Sequence, residues 1–377
     1  MPDRRLIGNI IDAAVHAYRG HTGRRMANFR TKVAAASASA ATLLMGWAFQ
    51  ATRPPPPAIL GAPGGPPVTS PRIRLKDGRH LAYSEAGVDR ETAKYKVIFF
   101  HGFASTKENT FPVSQELAEE LGIYLLYFDR AGYGDSDANP ARCLKSDATE
   151  VEELADALQL GEKFYVVGCS MGGYTAWSCL NYIPQRLAGA ALVVPAVNYW
   201  WPLPANVLRS AFEKLDVRDR MAFRIAHHTP SLFHAWITQK WFPMSPIIRG
   251  DRDAFTDKDW EILTELRRKE WGSGQAKATK QGTYESLCRD VTILFSNWEF
   301  DPTKIKNPFP NGEGVVSIWQ GYEDKIARVE IQRYVAQKLP WVRYHEHPGA
   351  GHALTNMDRV GDDIIRELLL GEAPRGW

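Results

Sequence analysis

The chain has 377 residues, of which 44% are hydrophobic and 24% are charged, and its formal net charge is +3. This length is sufficient for one α/β core, because such folds of roughly 250–300 residues often form a single domain. Seven basic and two acidic residues lie within residues 1–32, so the rest of the chain is nearly neutral, and nucleic-acid binding through a basic face is not expected.

Three segments are expected before the folded domain. The basic N-terminal segment, residues 1–32, precedes residues 33–52, which carry no charge and have about the length needed to cross a bilayer. We predict a single membrane-spanning helix there, with a cytosolic N-terminus and an endomembrane location. A targeting segment, for example for a plastid, and a soluble helix are the alternatives. Residues 53–71 are rich in proline, which predicts an extended linker or a strap across the domain.

From residue 72 onward, strand-like and helix-like patterns alternate. Strands are predicted at Arg72–Leu75, His80–Ala86, Lys96–Phe100, Tyr124–Phe128, Phe164–Gly168, Ala188–Pro195, Val315–Trp319 and Val342–His345. Helices are predicted at Val113–Leu121, Glu150–Leu160, Met171–Leu180 and Asp358–Leu370. This alternation predicts an α/β fold with a parallel sheet.

The alternation stops in residues 201–300, which are helical in pattern and rich in large aromatic side chains. This interval predicts a helical cap inserted into a core that consists of residues 72–200 and 301–377. The four cysteines have no Cys-x-x-Cys spacing, so no metal is predicted, and no cofactor is expected.

A candidate nucleophile follows the predicted strand at Phe164–Gly168. Ser170 has Gly168 two positions before it and Gly172 two positions after it, and a helical pattern follows. Such glycines allow a backbone turn so sharp that the serine side chain stands clear of the chain. We therefore predict that Ser170 is a nucleophile and that a base and an acid lie nearby.

The other candidate residues also follow predicted strands. His352 lies on a glycine-rich loop and is the predicted base, and Asp324 follows Gly321 and is the predicted acid. Glu323 and Asp301 are the rivals of Asp324.

The oxyanion of an acyl-transfer reaction needs two N–H donors. The backbone N–H of Met171 directly follows the serine, and the N–H of Phe103 follows the strand that ends near His101. Both are predicted donors, and His101 is expected to shape this loop.

Five motifs in this order resemble the α/β-hydrolase fold superfamily, in the branch with a cap between core strands six and seven. The motifs are His101–Phe103, Asp129–Ser136, Gly168–Gly172, Gly321–Asp324 and Gly351–His352. The resemblance implies a mostly parallel eight-stranded sheet. The proline-rich lead-in and residues 239–241 are also similar to largely uncharacterised plant members that have an N-terminal hydrophobic segment.

The predicted function is that of a serine hydrolase. Epoxide hydrolases and haloalkane dehalogenases of this fold use aspartate as the nucleophile, so Ser170 argues against both. The aromatic cap favours a hydrophobic or lipid-like carboxylic ester as the small-molecule substrate. Two alternatives remain open, namely a receptor that retains the triad and an acyltransferase that uses the same acyl-enzyme.

Overall fold

The computed structural model describes residues 37, 39, 42, 46, 50, 52–269 and 274–374. The predicted segment 1–32 and most of residues 33–52 lie outside the described residues. No helix in the described ranges is both long enough and apolar enough to cross a membrane. The prediction of a single-pass membrane protein anchored through residues 33–52 is corrected accordingly. Alanine and serine dominate the first half of that run, and such small side chains contribute little apolar surface per residue.

The described part of the chain contains an eight-stranded sheet. Its strands are β1 Arg72–Arg74, β2 His80–Gly87, β3 Tyr95–Phe100, β4 Ile123–Phe128, β5 Phe164–Cys169, β6 Leu187–Val193, β7 Val316–Gly321 and β8 Val342–His347. Their order is β1-β2-β4-β3-β5-β6-β7-β8. The pairs β1–β2 and β2–β4 are antiparallel, and all other neighbours are parallel. The predicted α/β fold with a mostly parallel eight-stranded sheet is confirmed.

Helices cover both faces of this sheet. They are α1 Gln115–Leu121, α2 Leu144–Ala157, α3 Gly172–Tyr182, α11 Val329–Lys338 and α12 Val360–Leu370. Side chains alternate along β3, so Ile98 joins the core that contains α2, α3 and α11, whereas Val97 joins the core that contains α1 and α12. A strand buried on both faces reads as a continuous apolar run, which explains why the short apolar strands could be predicted.

A helical segment occupies the chain between β6 and β7. It contains α4 Ala205–Glu213, α5 Val217–His228, α6 Pro230–Thr238, α7 Pro246–Arg249, α8 Asp257–Lys269, α9 Gly274–Ala278, a π-helical turn Tyr284–Cys288, and α10 Arg289–Leu294. The described residues from Pro54 onward form one compact unit, so the boundaries of a cap at residues 201–300 stay a prediction.

A buried carboxylate joins this helical segment to the core. Asp290 of α10 accepts hydrogen bonds from both terminal nitrogens of Arg130, at 2.8 and 2.6 Å, and from the hydroxyls of Tyr133 and Tyr174, at 2.6 and 2.8 Å. Arg142 lies 3.0 Å from the same carboxylate. Although burial by itself raises the pKa of Asp290, the two guanidinium groups lower it to about 2. The carboxylate is therefore ionised and paired with two cations.

The proline-rich segment contacts the folded unit. The Ala58 N–H donates to the carbonyl of Gln281 at 3.1 Å, and the hydroxyls of Thr69 and Ser70 donate to the Asp135 carboxylate at 2.9 and 2.8 Å. Ala58, Thr69 and Ser70 thus contact the folded unit, and the linker predicted at residues 53–71 stays a prediction.

Candidate active site

The turn between β5 and α3 holds Ser170 in an unusual conformation. Its φ is 51°, in the left-handed region that side chains other than glycine rarely occupy. A Cβ at Gly172 would lie 2.1 Å from the Phe100 carbonyl oxygen, and one at Gly168 would lie 2.6 Å from the Gly172 carbonyl oxygen. Only glycine fits at both positions, so this tight packing explains the spacing seen in the sequence.

The structure brings Ser170, His352 and Asp324 together at the carboxyl ends of the parallel strands. The Ser170 Oγ lies 2.8 Å from Nε2 of His352, and Nδ1 of His352 lies 2.8 Å from Oδ2 of Asp324. His352 follows β8 and Asp324 follows β7, whereas Ser170 follows β5. Parallel strands place their carboxyl ends at one edge of a sheet, which is why residues so distant along the chain meet here.

The Asp324 side chain is buried and is held by two backbone N–H groups. Its two rivals, Glu323 and Asp301, lie in different surroundings. The Asp324 Oδ1 accepts the backbone N–H groups of Ile326 and Ala327 at 2.8 and 2.9 Å. The neighbouring Glu323 is exposed. Asp301 caps a short 3₁₀ helix by accepting the N–H of Thr303 at 2.9 Å.

The charge of Asp324 sets the protonation of His352. Burial disfavours the charged imidazolium and by itself lowers the pKa of His352. The adjacent Asp324 carboxylate outweighs that effect, with a further contribution from Asp259, and the pKa of His352 is raised above 6.5. A base of this kind gains a proton more readily than an isolated imidazole.

The two predicted oxyanion donors flank the serine. Phe103 and Met171 line the same cavity as Ser170. Within the part of the chain that the structure describes, neither backbone N–H donates to an acceptor. A Cβ on Gly102, beside Phe103, would lie 3.4 Å from the Ser170 Cβ, so this loop passes close to the serine.

His101 does not reach the serine and instead holds this loop. Its Nδ1 lies 2.8 Å from the Gly102 carbonyl oxygen, and its Nε2 accepts the Arg130 N–H at 3.1 Å. Burial and the Arg130 charge lower the pKa of His101 well below 6.5, so the ring is neutral. Both ring nitrogens are thus engaged by the backbone, in agreement with a loop-shaping role.

Asp259 lies on α8 in the helical segment and was not predicted from the sequence. Its Oδ2 accepts the backbone N–H of His352 at 3.0 Å, and its Oδ1 accepts the N–H of Ala353 at 2.8 Å. The side chain is 2% exposed. A Cβ at Gly351 would lie 2.0 Å from the Asp259 Oδ2, so a glycine is required beside the histidine. Asp259 thereby fixes the loop that carries His352.

A local signal for Asp259 was present in the sequence but pointed to another role. Thr256 and Asp259 have the Thr-x-x-Asp spacing of a helix N-terminal capping box. The structure contains both bonds of that box, since the Thr256 N–H donates to Asp259 Oδ2 at 3.2 Å and the Asp259 N–H donates to Thr256 Oγ1 at 3.1 Å. The same carboxylate therefore caps its own helix and holds a loop 93 residues away.

A cavity of about 1200 Å³ opens onto Ser170 and His352. Its wall is mostly apolar and combines core residues with residues of the helical segment. The apolar lining includes Phe111, Val197, Phe223, Trp260, Leu263 and Phe295. Such a cavity is large enough to enclose a ligand with a long apolar part.

A serine on the turn after the fifth strand of a mostly parallel sheet is the arrangement of an α/β hydrolase. The family model described as alpha/beta hydrolase fold matches residues 95–355, which is more than half of the chain. The chain belongs to this family and is an enzyme of the hydrolase type.

Curated relatives match only part of the chain. Lipase 3 of Moraxella sp. (strain TA144) is 28% identical over 130 residues, which are 34% of this chain and 39% of the relative. A 2-hydroxy-6-oxononadienedioate/2-hydroxy-6-oxononatrienedioate hydrolase of Pseudomonas putida is 26% identical over 151 residues, which are 37% of this chain and 51% of the relative. The chain thus spans about half or less of the curated relatives that it matches.

Solved structures match over a greater length. A thermophilic esterase from Thermogutta terrifontis is 20% identical with a TM-score of 0.51, over 79% of this chain and 97% of the esterase. Est816, described as an N-acyl homoserine lactone degrading enzyme, is 16% identical with a TM-score of 0.51, over 78% of this chain and 99% of that chain. At these identities the likeness shows the fold.

Proposed function

We propose that this enzyme hydrolyses a hydrophobic carboxylic ester through Ser170, His352 and Asp324. The observation that carries the proposal is the continuous hydrogen-bonded series from the Ser170 Oγ through the imidazole to the Asp324 carboxylate, with 2.8 Å at each step. A neutral imidazole at this distance can take the serine proton, and a buried carboxylate on its other nitrogen fixes the tautomer and stabilises the imidazolium.

The reaction proceeds in two halves. The Ser170 Oγ attacks the ester carbonyl carbon while its proton passes to Nε2 of His352, and the backbone N–H groups of Phe103 and Met171 donate to the oxyanion. His352 then returns the proton to the leaving alcohol, and an acyl-serine remains. Water then loses a proton to His352 and attacks the carbonyl carbon of the acyl-serine. As the bond from that carbon to the Ser170 Oγ breaks, His352 returns the proton to the Oγ, so the carboxylic acid is released and the Ser170 hydroxyl is restored.

The apolar cavity supports a hydrophobic acyl group as the recognised part of the substrate. Each buried CH₂ group contributes about 0.8 kcal/mol, so a longer acyl chain gains binding energy until the cavity is filled. With p-nitrophenyl esters from acetate to dodecanoate, we expect kcat/KM to rise with acyl length and then to level off. If kcat/KM instead fell steadily from acetate onward, the hydrophobic substrate class would be contradicted. Ser170-dependent turnover of the short esters would still be measurable in that case.

The pH dependence of kcat/KM tests whether His352 is the general base. Only neutral His352 can accept the serine proton, and its pKa is raised above 6.5, so we expect activity to be low in acid and to rise with an apparent pKa above 6.5. In Asp259→Asn one of the carboxylates that raise this pKa is lost, so the rise should move to lower pH. Because the variant also loosens the His352 loop, kcat should fall by about tenfold or more.

A matched control separates the shift of the pH profile and the fall in kcat from the effect of simply removing a negative charge. Glu261 is an exposed carboxylate on the same helix as Asp259. Glu261→Gln should keep the wild-type pH profile and kcat. If Asp259→Asn lowered kcat without moving the pH profile, Asp259 would act only on the loop, and its electrostatic contribution to His352 would be refuted.

A further inference from the structure

A second cavity, of about 370 Å³, lies in the helical segment between α4 and α5. Ser170 and His352 do not line it, so it is separate from the cavity at the candidate active site. Tyr199 lines both cavities and forms a wall between them. The second cavity takes no part in the proposed hydrolysis.

Three arginines line this cavity, and their charges are not balanced. Arg209 comes from α4, and Arg220 and Arg224 come from α5. In the described ranges, none of the three guanidinium groups forms an ion pair with a carboxylate, whereas Arg218 on the same helix pairs with Asp216 at 2.8 Å. The lining contains a single carboxylate, that of Glu213, so the cavity is positively charged.

Two features of these arginines favour an anionic ligand. Arg220 and Arg224 are four residues apart on α5, and like charges at this spacing repel each other on a helix. The Nε of Arg220 is buried from solvent without a hydrogen-bond acceptor among the described residues. A buried donor without an acceptor is destabilising. An anion in the cavity would relieve both costs.

The rest of the lining provides aromatic rings beside these charges. The rings of Trp200 and Phe212 meet edge to face with centroids 5.9 Å apart, and the Arg224 guanidinium lies 5.0 Å from the centroid of Phe212. An aromatic or other flat group could lie against these rings while an anionic group meets the guanidinium groups.

We propose that this cavity binds a small organic anion, namely a phosphate monoester or a carboxylate whose apolar part contacts Trp200 and Phe212. Guanidinium groups present forked donors that match the oxygens of phosphates and carboxylates, which is why the anionic group belongs on the side of Arg220 and Arg224. The inference rests on the charge and geometry of the second cavity and is independent of the proposed hydrolysis.

The experiment measures binding of phenyl phosphate to the full chain by isothermal titration calorimetry, with phenol and inorganic phosphate for comparison. We expect phenyl phosphate to bind at one site per chain and more tightly than inorganic phosphate, and phenol to show no measurable binding. Arg220→Gln with Arg224→Gln should weaken binding of phenyl phosphate by about tenfold or more, which corresponds to about 1.4 kcal/mol. Arg218→Gln is the matched control and should bind as wild type does.

Two further measurements make the outcome decisive. The double variant should keep its unfolding temperature and its basal ester hydrolysis, which shows that it folds. Cosedimentation with vesicles that contain phosphatidate distinguishes a lipid phosphate from a free one, and loss of cosedimentation in the double variant would identify a headgroup as the anion. Unchanged affinity in the double variant, an equal loss in Arg218→Gln, or competition between phenyl phosphate and the ester substrate would overturn the proposal.

Discussion

Ser170→Ala is expected to lower ester hydrolysis on the order of 10⁴-fold or more while the protein stays folded. The alanine removes the oxygen that lies 2.8 Å from Nε2 of His352 and leaves the imidazole without a nucleophile to activate. Turnover of a p-nitrophenyl ester and covalent labelling by a fluorophosphonate probe both measure this loss. Wild-type protein should be labelled, and Ser170→Ala should not.

Ser105 provides the control for this variant. It lines the same cavity, and its hydroxyl donates to Asn109 at 2.9 Å rather than to a histidine. Ser105→Ala should therefore retain both labelling and turnover. If folded Ser170→Ala were still labelled, or if folded wild-type protein were not labelled at all, Ser170 would not be the nucleophile.

Asp324→Asn is expected to lower kcat by about 10³–10⁴-fold. The neutral amide cannot stabilise the imidazolium, and its NH₂ group competes with the imidazole Nδ1–H, which favours the wrong tautomer of His352. The loss should appear mainly in kcat, because Asp324 contacts the imidazole and not the substrate cavity. Steady-state kinetics with a short ester measures it.

The two rival carboxylates are the controls. Glu323→Gln changes an exposed side chain, and Asp301→Asn changes the cap of a short helix. Both should retain activity close to that of the wild type. Full activity in Asp324→Asn together with a large loss in either control would transfer the role of the acid to that residue.

Local patterns in the sequence were sufficient to predict the strands and to select the three residues that the structure brings together, namely Ser170, His352 and Asp324. The glycines beside Ser170 and before Asp324 are required by close backbone contacts, and the glycine before His352 is required by its contact with the Asp259 carboxylate. The buried strands were recognisable because both of their faces pack against helices. Each of these constraints fixes the residue type at a position beside the site residue or within one strand, so a single sequence records it.

Contacts between distant segments left no comparable pattern. Asp259 carries the signal of a helix cap, and its bond to the His352 backbone depends on how α8 packs against the loop after β8. The strand order, in which β4 lies between β2 and β3, likewise follows from tertiary packing. The membrane prediction failed for a different reason, because residues 33–52 lack charge but include many alanine and serine residues, which have a low apolar content.

The buried carboxylate of Asp290 limits how this enzyme can change its specificity. Replacing one partner of such a buried pair leaves an uncompensated charge and costs about 3–5 kcal/mol, which is a large part of the stability of a typical domain. The last helix of the helical segment, α10, must therefore keep its aspartate facing Arg130. Helices α4 to α7 contribute no residue to that network, and Phe223 of α5 and Ile248 of α7 line the large cavity. Substitutions at these positions can therefore change the shape of the cavity without removing a partner of Asp290.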